Sequence, residues 1–212
     1  MQNVIAFKPR GAAGGGNDTG EMVADEILIG RIAAGDQPAM ATLFRRHNTR
    51  VFRFVARLIG DTGIAEDVVS EVFTDVWRQA GDFEGRSQAL TWMLSIARYK
   101  ALSVRRRRQD VELDEYAANS IPDQTDTPEE AMLRSDRGAQ LRACLKQLSR
   151  EHREIVDLVY YHDRTIEEVA EIINAPKNTV KTRMFYARKR LAQLLASHQD
   201  FDHPTSEPGA AA

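Results

Sequence analysis

Apolar residues recur along this chain at steps of three and four, the period of one helix face, and no stretch alternates as a half-buried strand does. The clearest case runs from Thr165 to Leu195. Ile166, Val169, Ala170 and Ile173 form one apolar face, and Val180, Met184, Ala187, Leu191 and Leu194 form a second. Between them, Asn174 suits the left-handed conformation that ends a helix, and Pro176 cannot continue one. Thr165 and Glu168 have capping-box spacing, and Asn178 or Thr179 is placed to cap the following helix. The pattern predicts two helices joined by a tight turn, a helix-turn-helix.

Upstream, helices are predicted from Asp25 to about Gly60. Asp36 caps the longer one, Pro38 sits in its first turn, and Met40, Leu43, Phe44, Val51, Val55 and Leu58 make its stripe. His47 lies on that stripe, where a packed, hydrogen-bonded histidine is expected. After a turn at Gly60–Gly63, the segment AEDVVSEVFTDVWRQ buries Val68, Val72, Phe73 and either Val76 or Trp77. The loop GDFEGRS leads to QALTWMLSIARYKALSVRRRR, a helix anchored by Trp92, Met93, Ile96 and Ala97. Thr127, with Pro128 and Glu130, starts a helix whose stripe is Leu141, Cys144, Leu145 and Leu148. Ser149 opens another, with Ile155, Val156 and Val159 inward. The fold class is therefore all-α: two helical modules, residues 23–108 and 127–197, joined by an acidic flexible linker, 109–126. Gly-rich residues 1–22 and polar residues 198–212 read as disordered tails.

Net charge over the 212 residues is only -2, so any nucleic-acid partner must be argued from local charge. Three local patterns stand out. Off the buried stripe of the last helix lie Lys177, Asn178, Lys181, Thr182, Arg183, Phe185, Tyr186, Arg188 and Lys189, and no acid interrupts Lys177 to Arg190. The second helix of such a motif enters the DNA major groove with its N-terminal residues on base edges. From Arg86 to Arg108 every charged residue is positive, and Trp92 and Tyr99 are interleaved, which suits a groove that tracks a strand and stacks bases. Glu66, Asp67, Glu71 and Asp75, in contrast, lie largely to one side of their helix, as a solvated face or a docking face for a basic partner helix.

The sign inverts after Arg108: residues 109–130 hold eight carboxylates and no basic residue. Those 22 residues reach about 70 Å fully extended, at roughly 3.3 Å each. That is enough to set the two modules about two DNA turns apart, at roughly 34–36 Å per turn. DNA would repel such a linker, so it should run through basic protein channels. The single cysteine, Cys144, excludes an intrachain disulfide, and the five histidines lack metal-ligand spacing, so no metal or cofactor is expected. No apolar run reaches the roughly 20 residues of a membrane span, and the N-terminus lacks a signal-peptide core, so a cytoplasmic chain without membrane insertion is expected. With no Walker loop, dinucleotide turn or nucleophile–base–acid set, catalytic residues and an enzymatic role are not expected either.

Taken together, these segments resemble the extracytoplasmic-function (ECF) sigma factors of bacterial RNA polymerase. AEDVVSEVF and GRSQALTWMLSIARYKA resemble their region 2, and LSREHREIVDLVYYHDRTIEEVAEIINAPKNTVKTRMFYARKRL resembles their region 4. The resemblance implies partners: core polymerase through its β′ clamp and β flap, promoter DNA, and an anti-sigma protein held between the modules. It implies that Asp67, Ser70, Glu71 and Asp75 dock on the β′ clamp, with Ser70 standing where the family very often has Gln. It assigns Phe83, Arg86, Ser87, Trp92, Arg98, Tyr99, Lys100 and Arg105 to −10 recognition and strand opening, with Tyr99 in place of a common Asn. It assigns the exposed residues of the last helix, Lys177 to Lys189, to the −35 element. The competing readings are a free-standing helix-turn-helix regulator and a sigma-like decoy that binds an anti-sigma protein instead of DNA. The first leaves the acidic helix and the Trp92 segment unexplained, and the basic recognition helix argues against the second.

Overall fold

The chain is helical throughout the residues that a computed structural model describes, 23–111 and 136–199. Eight α-helices follow one another among them: α1 Asp25–Ala33, α2 Gln37–Ile59, α3 Thr62–Gln79, α4 Ala89–Val111, α5 Asp136–Lys146, α6 Arg150–Tyr160, α7 Ile166–Ile173 and α8 Lys177–Gln199. A 3-10 turn, Ala80–Asp82, follows α3. Expectations for the two tails, for the linker beyond Val111 and for a cap at Thr127 lie outside the described residues.

Short polar residues set the helix ends. Asp36 accepts from the Ala39 amide at 3.0 Å and starts α2. Gly60 ends α2 in the left-handed conformation, at φ 82°, where a residue without Cβ carries no steric penalty. Asp61 then accepts from the Ile64 amide at 3.1 Å to start α3. In the N-terminal module α2 packs on α1, α3 and α4, and α3 also packs on α4. Leu43, Val51, Phe54 and Val55 of α2 have no solvent exposure, nor do Val72 and Val76 of α3 or Met93 and Leu94 of α4. Val76, not Trp77, is the buried residue of its pair, since Trp77 stays exposed. His47 is buried with Nε2 2.6 Å from an Asp25 carboxylate oxygen, as a packed histidine should be.

The C-terminal module folds α5, α6 and α7 against α8. Cys144, Leu148, Ile155, Val156 and Leu158 are buried in it, with Val169, Val180, Met184 and Ala187. The modules are in contact. α4 lies along α7, and one apolar cluster of buried side chains continues from the N-terminal module into the C-terminal one. This contact was not legible beforehand, because the linker implied only that the modules could separate.

Candidate nucleic-acid interface and docking face

The helix-turn-helix is built as its residues dictate. The Thr165 hydroxyl accepts from the Glu168 amide at 3.2 Å, and the Glu168 carboxylate accepts from the Thr165 amide at 2.9 Å, which completes the capping box. Asn174 ends α7 in the left-handed region at φ 51°. α8 then begins at Lys177, with the Val180 amide donating to the Pro176 carbonyl at 3.2 Å. Asn178 and Thr179 therefore lie inside the first turn and do not cap it from outside, which corrects the sequence expectation.

This start turns the polar side of α8 outward. Lys177, Asn178, Lys181, Thr182, Arg188 and Lys189 are exposed, and so are two large aromatics, Phe185 (63%) and Tyr186 (53%). The two rings meet edge to face with centroids 5.5 Å apart, which stiffens them as a contact platform. Lys181, Thr182 and Phe185, at i, i+1 and i+4, share one side near the helix start. Arg183 is half-buried and pairs with Glu151 at 3.3 Å, and Lys177 pairs with Glu167 at 3.4 Å. Glu167 is held below the ordinary carboxylate range first by a backbone amide and then by Lys177. Arg188 Nε donates to the Tyr160 hydroxyl at 3.2 Å.

On α4 the predicted residues do not form one face. Seven residues return to nearly the same azimuth of a helix, with a drift of about 20°, so α4 carries three adjacent strips. Thr91 and Arg98 point into the C-terminal module: the Thr91 hydroxyl donates to Glu168 at 2.7 Å, and Arg98 Nε donates to Glu154 at 2.6 Å. Trp92 and Tyr99 form the outer strip. Trp92 is half-buried with its ring centroid 5.0 Å from that of Phe83, while Tyr99 is 74% exposed. Lys100 turns the other way, and its ammonium donates to Asp75 at 2.8 Å and to Glu71 at 3.2 Å. Burial pushes the Lys100 ammonium down, but its bonds to Asp75 and Glu71 outweigh that and hold its pKa above the ordinary lysine value. Around this helix, Arg86 is exposed and pairs with Glu84, while Ser87 and Arg105 are half-buried.

The acidic side of α3 is open to solvent at Asp67, Ser70 and Glu71. Ser70 donates to the Glu66 carbonyl of its own helix at 3.1 Å. Asp75 is half-buried beneath Lys100, so it is already neutralised. Three predicted sets thus end in different conditions: the α8 set is together and exposed, the α3 set is together with Asp75 and Glu71 both tied to Lys100, and the α4 set is split.

Sequence reasoning missed the acids that answer α4 and α2. Glu154 and Asp157, one turn apart on α6, are buried at the contact between modules, and Asp157 pairs with Arg57. The signal was a pair of acids at i and i+3, Glu154 and Asp157, bracketing Ile155 and Val156 on an apolar stretch, where acids would not be buried unless paired. Among the described residues no group of His, Cys, Asp and Glu could hold a metal ion, and no helix is long and apolar enough to cross a membrane.

Comparison with known proteins adds to this geometry. The family model for sigma-70 region 2 matches residues 43–111, and that for sigma-70 region 4 matches residues 144–193. A curated relative, the ECF RNA polymerase sigma factor SigK of Mycobacterium bovis (strain BCG / Pasteur 1173P2), is 31% identical over 173 residues. That match spans 80% of this chain and 92% of the relative. SigK of Mycobacterium ulcerans (strain Agy99) is 29% identical over 171 residues, 79% of this chain and 91% of its own. Among solved structures, CnrH in complex with the cytosolic domain of CnrY has a TM-score of 0.60 at 22% identity, covering 82% of this chain and 97% of that one. The sigma factor RpoE of Bartonella quintana, bound to the anti-sigma factor NepR, has a TM-score of 0.61 at 24% identity, covering 74% and 96%. At these identities the two structures support the fold alone.

Proposed function

Since the chain belongs to the ECF RNA polymerase sigma factors of the sigma-70 family, we propose a division of labour among its three charged faces. As a sigma factor it directs core polymerase to −35 and −10 promoter elements and initiates transcription, and the chemistry of RNA synthesis belongs to the core enzyme. Its place of work is accordingly the cytoplasm.

Lys181, Thr182 and Phe185 at the start of α8 read base edges of the −35 element in the major groove. Arg183, Tyr186, Arg188, Lys189, Lys177 and Asn178 position that helix on the backbone. Phe83, Trp92 and Tyr99 supply the apolar and stacking surface for the −10 strand, with Arg86, Ser87, Arg98 and Arg105 around it. Asp67, Ser70 and Glu71 dock on a basic helix of the polymerase β′ clamp. Lys100 and Asp75 act together as a strut between α3 and α4 that holds Glu71 in place.

The observation that carries this reading is the outward, acid-free leading face of α8, set by a complete capping box and a left-handed Asn174. Run-off transcription with core polymerase, with and without this chain, tests it. A promoter-specific product that depends on the chain is expected, and no such product from any genomic template overturns the reading. Asp67→Lys should lower core binding while −35 discrimination stays intact. Failure of both steps together would mean that the faces are misassigned.

We propose in addition that an anti-sigma protein regulates the chain. The contact between modules is already filled by the chain's own side chains. A partner therefore acts on an outer face or parts the modules, and is not simply wedged into an existing gap. A pull-down that recovers polymerase but never a small inhibitory protein counts against it.

A further inference from the structure

Two adjacent tyrosines close α6, and each receives an arginine from a different helix. Tyr161 faces the seam where the two modules meet, with the Arg57 guanidinium of α2 4.1 Å from its ring centroid. Tyr160 faces α8. Its hydroxyl accepts from Arg188 Nε at 3.2 Å, and the Arg188 guanidinium lies 5.9 Å from its ring centroid. The backbone beneath Tyr160 is anchored, since Leu158 of the same turn is fully buried and Val159 packs against the core. The Tyr160 ring itself stays 56% exposed, so the fold gains little from its burial.

What distinguishes this partner is its neutrality. Across the buried stripe of α8, Arg183 is held by Glu151 at 3.3 Å, and a carboxylate answers its charge. A phenol hydroxyl fixes Arg188 without cancelling its charge, and among the described residues no carboxylate pairs with Arg188. A guanidinium has five N–H groups, and the bond to Tyr160 uses only the one on Nε. The two Nη groups are left for a phosphate, which such a fork grips by two parallel bonds. Arg188 stands seven residues after Lys181, on nearly the same side of the helix and about 10 Å further along. A recognition helix enters the groove by its N-terminal residues, so a residue two turns on lies level with the sugar–phosphate wall.

We propose that Tyr160 is a positioning residue for promoter binding: its hydroxyl holds the Arg188 guanidinium in the orientation that clamps one phosphate beside the −35 element. A long side chain ordered before DNA arrives loses less freedom on binding. The clamp also fixes how α8 seats on the duplex, with Lys181 and Phe185 brought to the base edges. This inference rests on the assignment of α8 to the −35 element, and its test separates the two.

Polymerase assembled with the full chain is titrated, over a range of salt, with the promoter duplex that run-off transcription identifies. The same duplex with one −35 base pair changed is titrated beside it. Arg188→Ala should flatten the dependence of log affinity on log salt by about 0.9, the loss of one phosphate contact. Tyr160→Phe keeps the ring and leaves the Arg188 charge in place. It should weaken both duplexes by about fivefold, the worth of one hydrogen bond, with an unchanged salt slope. Arg188→Lys keeps the charge but loses Nε, and should match Tyr160→Phe. Adding Tyr160→Phe to Arg188→Ala, or to Arg188→Lys, should then weaken binding no further. A further fivefold loss in either pair overturns the proposal, because Tyr160 would not be acting through Arg188. A lowered urea midpoint for Tyr160→Phe also overturns it, since the role would be structural. If Arg188→Ala leaves the salt slope unchanged, the assignment of α8 falls together with the proposal. If the slope flattens while Tyr160→Phe binds as the parent does, only the proposal falls.

Discussion

α4 and α8 are both long, both basic and both carry exposed aromatics, yet they stand in opposite conditions. The leading turns of α8 make their ion pairs at the edges, Lys177 with Glu167 and Arg183 with Glu151, and leave Lys181, Thr182 and Phe185 outward. α4 has its charged strips taken up on two sides, Arg98 by Glu154 of α6 and Lys100 by Glu71 and Asp75 of α3. The contrast teaches that a basic run reports charge, not availability. Whether a cation is free depends on acids far away in the chain, and a helix packed between two neighbours has more of them than one at the edge.

The strongest way to break this comparison is to empty the core beneath the seam. Phe54→Ala removes a fully buried ring of α2 that meets His162, and should cost about 3–5 kcal/mol in urea denaturation. If α4 is held as described, both modules lose stability in one transition; two separate transitions, with only the first shifted, would show that the seam does not couple them.

On the α8 side, Phe185→Ala and Lys181→Ala should each remove about 1–3 kcal/mol of −35 discrimination, measured with matched and mismatched duplexes on the assembled polymerase. Their unfolding midpoints should stay within about 0.5 kcal/mol of the parent, because both side chains are exposed. A large loss of stability would mean that this face is structural after all.

A smaller effect is expected where the two regions share a residue. Thr165→Ala removes the α7 cap and should cost about 1 kcal/mol of stability. Glu168, which binds both Thr165 and Thr91, should then lose order, and hydrogen exchange should rise at the start of α7 and in the facing turn of α4. Exchange confined to α7 would separate the cap from the seam.

The smallest effect is with pH. Burial raises the Glu168 carboxyl, but the Thr165 amide, the Thr91 and Thr165 hydroxyls and Arg164 outweigh it and hold its pKa below the ordinary 4.5. A depressed carboxylate contributes stability above its unfolded pKa and loses it as pH falls through the folded value. The stability that Glu168 contributes, measured by urea denaturation, should therefore hold near neutrality and decline only in acid, below about pH 4.5. A decline that starts near neutrality would point to another group.

Local features were the legible ones. The Thr165–Glu168 box, Asn174 and the buried stripe from Val180 to Leu194 each follow from residues within four positions of one another, and the structure places all of them as their chemistry requires. The choice of Val76 over Trp77 depended on which way α3 faces α2, which the spacing alone left open. The fate of Arg98 depended on Glu154, 56 positions later, and no periodicity carries that distance. Sequence pattern identifies what a helix offers; packing determines what is left for a partner.

The seam mixes a continuous apolar cluster with buried ion pairs, and both respond to temperature in the same direction. Apolar burial weakens on cooling, and the desolvation penalty of charged groups falls on warming. Cold should therefore loosen the joint and warmth tighten it, so that a chain chilled before it meets polymerase starts with its halves further apart.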